Sequence, residues 1–136
     1  MGEASFAEFR TAVVQANQEV VQGDATRLKA IYSHQEDITI LGGFGGVEKG
    51  WSQVAPRLDW AASQFDRGTF AEEEVSVVVG TELAYTVAIE RNHVYMGNPP
   101  EPQTLELRVT QIFRRELDGW RLVHRHADPL VQKRQS

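Results

Sequence analysis

The sequence predicts an α+β protein whose helices pack on one face of a strongly curved, mixed or antiparallel sheet. Apolar residues recur at three- and four-residue spacing in most of the first 65 positions, as on one face of a helix. From residue 69 they recur at every second position, as in strands. Helices followed by a strand meander are typical of helices on one side of a sheet. The 136 residues suffice for one core, so we expect a single domain over residues 1–136.

Composition and charge exclude several classes of protein. The chain has no cysteine, which excludes disulfides, thiol nucleophiles and zinc sites with sulfur ligands. A net charge of −5 disfavours nucleic-acid binding. No apolar run approaches the ~18 residues of a membrane span, and the first residues, MGEAS, do not resemble a secretory signal. We therefore expect a cytoplasmic protein that binds neither nucleic acid nor membrane.

Two helices are expected at the N-terminus. Ser5 and Glu8 form the spacing of a capping box, and Gly23 is placed to end the first helix. Asp24 can cap a second, short helix that reaches Tyr32. The apolar stripe of the first helix comprises Phe6, Phe9, Val13, Ala16 and Val20.

A short strand and a third helix are expected next. The β-branched run Asp37–Leu41 predicts the strand, and the glycine-rich segment Gly42–Gly46 predicts a loop. The third helix runs from Trp51 to Phe65, and Pro56 predicts a kink or a later start.

Four longer segments have strand periodicity. They cover residues 75–79, 83 to about 95, 104 to about 114, and 120 to about 127. Three prolines predict a loop over residues 97–102, and residues 132–136 are expected to be a frayed tail.

The last two strands carry a family resemblance. An arginine-rich strand, LRVTQIFRR at 107–115, precedes DGWRLVHRHAD at 118–128, and EKGW at 48–51 resembles the glycine before a third helix. Together they resemble the nuclear-transport-factor-2-like superfamily, and within it the SnoaL-like and ketosteroid-isomerase-like small proteins. The association domain of calcium/calmodulin-dependent kinase ends similarly. The resemblance implies a cone-shaped fold with three helices on the sheet and an internal pocket.

The resemblance also implies candidate functions. One is an enzyme that isomerises, cyclises or hydrates a small, mostly apolar molecule with a ring or carbonyl group by proton transfer. The alternative is a non-catalytic module for ligand binding or oligomerisation. The isomerase-like enzymes place a carboxylate base at about Gly42, where this chain has no side chain. This departure favours binding or a different chemistry. No cofactor or metal is expected.

Polar pocket residues are expected on the two central strands. Ala84, Thr86, Ala88 and Glu90 alternate with larger residues, and the resemblance places this set inside the cone. We place Arg108 and Thr110 there as well, with Glu90 and Arg108 paired because an unpaired buried charge is costly. Arg108 would then hold an anionic or carbonyl oxygen, or the pair is only structural. The other face carries an apolar set expected to form a homodimer interface: Tyr85, Val87, Ile89, Val109 and Phe113.

The motif His124-x-His126 with Asp128 is the candidate for proton transfer. We expect His126 or Asp128 at the pocket mouth as general acid or base. Two alternatives remain: a zinc site completed by His34 or His93, and histidines whose ring nitrogens are bonded to neighbouring groups.

Aromatic side chains are expected to form the pocket walls. The glycines at 42–46 do not match a phosphate-binding pattern and more simply let Phe44 fold over the cavity. The alternative for each tryptophan is core packing. The expected wall residues are Tyr32, Phe44, Trp51, Trp60 and Phe65.

Overall fold

The computed structural model describes residues 3–135, with the side chains of residues 6–135. The elements are α1 (Glu3–Val20), α2 (Thr26–Ile31), β1 (Thr39–Gly42), β2 (Gly45–Lys49), α3 (Trp51–Ser63), β3 (Phe65–Val79), β4 (Leu83–Met96), β5 (Glu101–Glu116) and β6 (Gly119–Pro129). The sheet has six strands in the order β2-β1-β6-β5-β4-β3. β1 runs parallel to β6 and all other neighbours are antiparallel, so the expected α+β class with a mixed sheet is confirmed. No helix among residues 3–135 is both long enough and apolar enough to cross a membrane.

The first two helices follow the sequence pattern. Phe6, Val13 and Ala16 of α1 are almost fully buried. Gly23 adopts a φ of +95° just after the helix, as a glycine at this position can without strain. The Asp24 carboxylate accepts a hydrogen bond from the Thr26 amide at 2.9 Å. The Ser5 side chain, and with it the expected capping box, lies outside the described side chains.

The glycine-rich segment forms a hairpin rather than a plain loop. β2 begins at Gly45 and pairs with β1, and Gly45 and Gly46 have φ values of +91° and +84°. The sequence analysis missed this strand because glycines conceal its alternation. α3 begins at Trp51 with Pro56 inside it, so the later start was wrong.

Two strands are longer than expected. β3 begins at Phe65 rather than at residue 75. β5 includes Pro102, which was expected in the loop. β6 pairs with β5 only from Leu107 onward. The first residues of β5 therefore form an edge, where a proline is tolerated.

The helices cover the concave face of the sheet. Phe113 packs edge-on against Phe6 and Phe9, with ring centroids 5.2 and 5.6 Å apart. Val109 and Phe113 are only 4% and 0% exposed, so their expected place on an outer dimer face was wrong. Directly opposite residues of antiparallel strands share a face. Ala84 lies opposite Phe113 and Ala88 lies opposite Val109, so all four face the core.

Candidate functional site

A cavity of about 410 Å³ lies between the helices and the concave face of the sheet. Its walls are mainly apolar: Val20, Leu28, Leu58, Phe65, Phe70 and Leu107. Polar side chains gather where β4, β5 and β6 cross this face: Glu90, Asn92, Gln111 and Arg125. The volume falls within the range of small-molecule sites, roughly 300–1,000 Å³.

An ion pair forms the polar end of the cavity. Both guanidinium Nη atoms of Arg125 donate to the two carboxylate oxygens of Glu90, each at 2.8 Å. Arg125 also donates to Gln111 Oε1 at 3.4 Å. The Glu90 side chain is 2% exposed and that of Arg125 is 14% exposed. Burial would lower the pKa of Arg125, but the charge of Glu90 outweighs it and raises that pKa. This end of the cavity is therefore polar but carries no net charge.

Tyr32 brings an unused hydrogen-bond donor into the cavity. It follows α2, is 1% exposed, and its hydroxyl has no hydrogen-bond partner among the described residues. Burial raises the pKa of Tyr32, with the opposing charges of Arg125 and Glu90 as smaller influences. The hydroxyl therefore keeps its proton. A buried hydroxyl left unbonded costs about 1–3 kcal/mol, which a ligand oxygen would recover.

Glu90 was correctly placed in the cavity, but its expected partner Arg108 was not. Glu90 lies opposite Leu107, and Arg108 lies opposite Ile89 on the other face of the sheet. The Arg108 side chain is 56% exposed and donates to Asp128 at 2.9 Å. Thr110 shares this outer face and is exposed. Neither residue lines the cavity, so their assignment to its interior was wrong.

A bulge in β6 determines which of its residues face inward. Leu122 pairs with Phe113 and His124 pairs with Ile112, which leaves Val123 as an extra residue. Such a bulge reverses the alternation that follows it. Trp120 and Leu122 are inward before the bulge, and Arg125 is inward after it.

The same bulge turns the candidate proton-transfer residues outward. His126 and Asp128 lie on the outer face, with side chains 51% and 43% exposed, and neither lines the cavity. Their expected place at the pocket mouth was wrong. His124 Nδ1 lies 2.7 Å from the Thr39 hydroxyl. Burial is the main cause that lowers the pKa of His124.

The histidines do not form a metal site in the described part of the chain. Within residues 3–135, no three side chains of the metal-binding types come together. His34 stacks on Trp51 at 3.8 Å, and His93 lies beside Thr104 on another strand.

The aromatic prediction was correct for three of five residues. Tyr32, Phe44 and Phe65 line the cavity. Trp51 instead packs against the core and stacks on His34. Trp60 is 41% exposed and does not line the cavity, but its ring contacts the cavity-lining residues Phe44 and Arg57.

The β1–β2 hairpin forms the rim of the cavity beside α3. Arg57 of α3 donates to the Phe44 and Gly45 carbonyls at 3.5 and 3.3 Å, and its guanidinium lies 4.0 Å from the Trp60 ring centroid. Glu48 of β2 also lines the cavity, 3.8 Å from Arg57 Nε. Sequence reasoning missed Glu48 because it did not predict β2.

The resemblance to isomerase-like enzymes implies a carboxylate at about position 42, where this chain has a glycine. Gly42 lines the cavity, and a Cβ added there would meet no atom within 4 Å. Asp37, just before β1, is bound by Arg114 at 2.7 and 3.1 Å, and this lowers its pKa. Asp37 does not line the cavity.

A conical α+β domain with an internal, mostly apolar cavity is the class that fold and site define. The sequence profile of the SnoaL-like domain matches residues 10–132, so the chain belongs to the SnoaL-like family. Comparison with curated proteins finds no match.

Several solved structures share the fold. A putative dehydratase of the NTF2-like family from Streptomyces avermitilis is 19% identical over 95% of this chain and 97% of its own, with a TM-score of 0.80. A ketosteroid isomerase-like protein from Erwinia carotovora atroseptica is 13% identical over 96% and 99%, with a TM-score of 0.78. A putative calcium/calmodulin-dependent protein kinase type II association domain from Thiobacillus denitrificans is 20% identical over 95% and 94%, with a TM-score of 0.68. At these identities the likeness shows the fold alone.

Proposed function

We propose that the protein binds a small, mostly apolar molecule in its cavity, with one hydrogen-bond-accepting group directed at Tyr32. The cavity volume of about 410 Å³ and its apolar walls support a ligand with a hydrocarbon or aromatic body. A domain that served only for assembly would have no need to keep this volume unfilled by side chains.

The Tyr32 hydroxyl is the observation that carries this proposal. It is a buried donor without a partner among the described residues, and it lines the cavity. A ligand carbonyl, ether or hydroxyl oxygen would satisfy it. Such a hydrogen bond contributes more to the binding free energy than an ordinary one, because without the ligand the buried donor has no partner.

The charges beside Tyr32 favour a neutral ligand group over a carboxylate. Arg125 already donates to both oxygens of Glu90. A carboxylate ligand would have to compete with Glu90 for Arg125 and lie close to a like charge. A ketone, aldehyde or ester oxygen meets neither obstacle.

Catalysis of proton transfer is the second candidate function. A donor in a water-poor cavity stabilises negative charge that develops on a substrate oxygen. Tyr32 has this position, and the structurally similar Streptomyces avermitilis protein is called a putative dehydratase. The proton-transfer role is not assigned to His126 or Asp128, because both lie on the outer face.

Titration with neutral aromatic ketones tests the proposed function. Isothermal titration calorimetry on the wild type and Tyr32→Phe is expected to show binding that weakens about tenfold in the variant. Tyr85→Phe is the matched control, because Tyr85 is on the outer face and 42% exposed. Equal affinity of the wild type and Tyr32→Phe would contradict the proposal.

We further propose that the outer face of β3 and β4 pairs two copies of the chain. Val78 and Tyr85 are opposite each other there and are 44% and 42% exposed, with Val87 and Ile89 half-buried beside them. Apolar side chains on the convex side of a sheet favour association. A cytoplasmic location stays a prediction of the sequence.

A further inference from the structure

The cavity holds a second polar atom without a hydrogen-bond partner. Glu48 Oε1 is buried and accepts no hydrogen bond from any described residue. Arg57 Nε is 3.8 Å away, too far for a hydrogen bond, and the Arg57 guanidinium is shared between two backbone carbonyls and the Trp60 ring. Glu48 therefore has a nearby positive charge but an unfilled acceptor position.

The sheet register gives the position of Glu48 relative to the ion pair. Glu48 lies opposite Ile40, Ile40 is in register with Arg125, and Arg125 lies opposite Gln111. All four residues line the cavity, so they form one row across the concave face. Adjacent strands are about 4.8 Å apart, which separates the backbone of Glu48 from that of Arg125 by about 10 Å. The apolar side chain of Ile40 lies between them.

We propose that the ligand is bifunctional: an acceptor oxygen bonds the Tyr32 hydroxyl beside the ion pair, and a hydroxyl or amino group at the other end of the ligand donates to Glu48 across the apolar strip at Ile40. A carboxylate only accepts hydrogen bonds, so this end of the cavity selects a donor. The inference rests on the proposed function and extends it, because it specifies the group at the second end of the ligand.

Three probes of one shape test this inference. They are 4-acetylbiphenyl, its 4′-hydroxy derivative and its 4′-methyl derivative, which share the ketone and differ at the far end of the second ring. Calorimetry on the wild type is expected to show about tenfold tighter binding of the hydroxy probe than of the methyl probe. Glu48→Leu is expected to abolish this preference, and the isosteric Glu48→Gln to reduce it.

Controls separate failure of this inference from failure of the proposed function. Glu36→Gln removes the same charge at an exposed position outside the cavity and is expected to keep the full preference. Tyr32→Phe is expected to weaken all three probes equally. If the probes bind and respond to Tyr32→Phe but show no preference for the hydroxyl, the inference is wrong and the proposed function stands. If none of the three binds the wild type, both are overturned.

Discussion

Removal of Arg125 is expected to destabilise the protein strongly, because Glu90 would stay buried without its partner. The two side chains share two hydrogen bonds of 2.8 Å and are 14% and 2% exposed. Breaking such a buried pair costs about 3–5 kcal/mol. We therefore expect Arg125→Met to lower the free energy of unfolding by about this amount, which is a factor of roughly 10²–10³ or more in the ratio of folded to unfolded protein.

Arg108→Met is the matched control, on the opposite face of the same sheet. Its pair with Asp128 is half-exposed, with side chains 56% and 43% exposed. Exposed pairs contribute about 0–1 kcal/mol, so the control is expected to remain close to the wild type. Urea denaturation followed by circular dichroism measures both variants.

The double variant Glu90→Leu/Arg125→Met distinguishes two causes of destabilisation: an unpaired buried charge on Glu90 and the lost packing of the Arg125 side chain. It removes both charges, and replacing a buried pair by apolar residues is often neutral. We expect it to be more stable than Arg125→Met alone. The reasoning would be refuted by an Arg125→Met variant no less stable than Arg108→Met, or by a double variant less stable than Arg125→Met.

Three other predictions follow from local geometry. Gly68→Ala should lower the free energy of unfolding by about 1–3 kcal/mol, because a Cβ there would lie 2.7 Å from Val94 Cγ1 and 2.8 Å from a backbone oxygen. A thermal melt measures the effect. Gly42→Ala is the control and should leave the melting temperature unchanged, because its added Cβ would meet no atom within 4 Å. Burial lowers the pKa of His124 in the folded protein, so the unfolded chain binds the proton more tightly. The free energy of unfolding therefore falls as the pH drops below 6.5, the ordinary pKa of the imidazole. His124→Gln should reduce this loss in urea titrations between pH 7.5 and 5, and an unchanged slope would contradict it. Tyr85→Glu should convert a dimer of 15.3 kDa chains to monomers in light scattering, and an intact dimer would place the interface elsewhere.

The fold could be predicted from the sequence because its periodicities are strong. The change from helical to alternating spacing, and the glycine at position 23, mark elements that the structure confirms. The first part of β3 could not be predicted in this way. Burial alternates there, but the less exposed positions are Gly68, Phe70 and Glu72, so hydrophobicity does not follow the alternation.

The site was predictable only in part because one extra residue changes which side chains face inward. Tyr32, Phe44, Phe65 and Glu90 were assigned to the cavity correctly. Nothing in the sequence around Val123 marks the bulge that turns Arg125 inward and His126 outward.

The error at Arg108 was avoidable from the sequence itself. The alternating set Leu107, Val109 and Phe113 is the more apolar of the two sets on β5 and therefore the better candidate for the inner face. In the structure, Leu107 lines the cavity and the other two residues lie in the interior.

The carbonyl ¹³C chemical shift of a bound ketone tests the central claim, that the Tyr32 hydroxyl donates to the ligand, most directly. A hydrogen bond to a carbonyl oxygen polarises the C=O bond and moves this signal downfield. With 4-acetylbiphenyl labelled at the carbonyl carbon, we expect the signal of the bound ketone to lie further downfield in the wild type and in Tyr85→Phe than in Tyr32→Phe. The same bound shift in all three proteins would contradict the account.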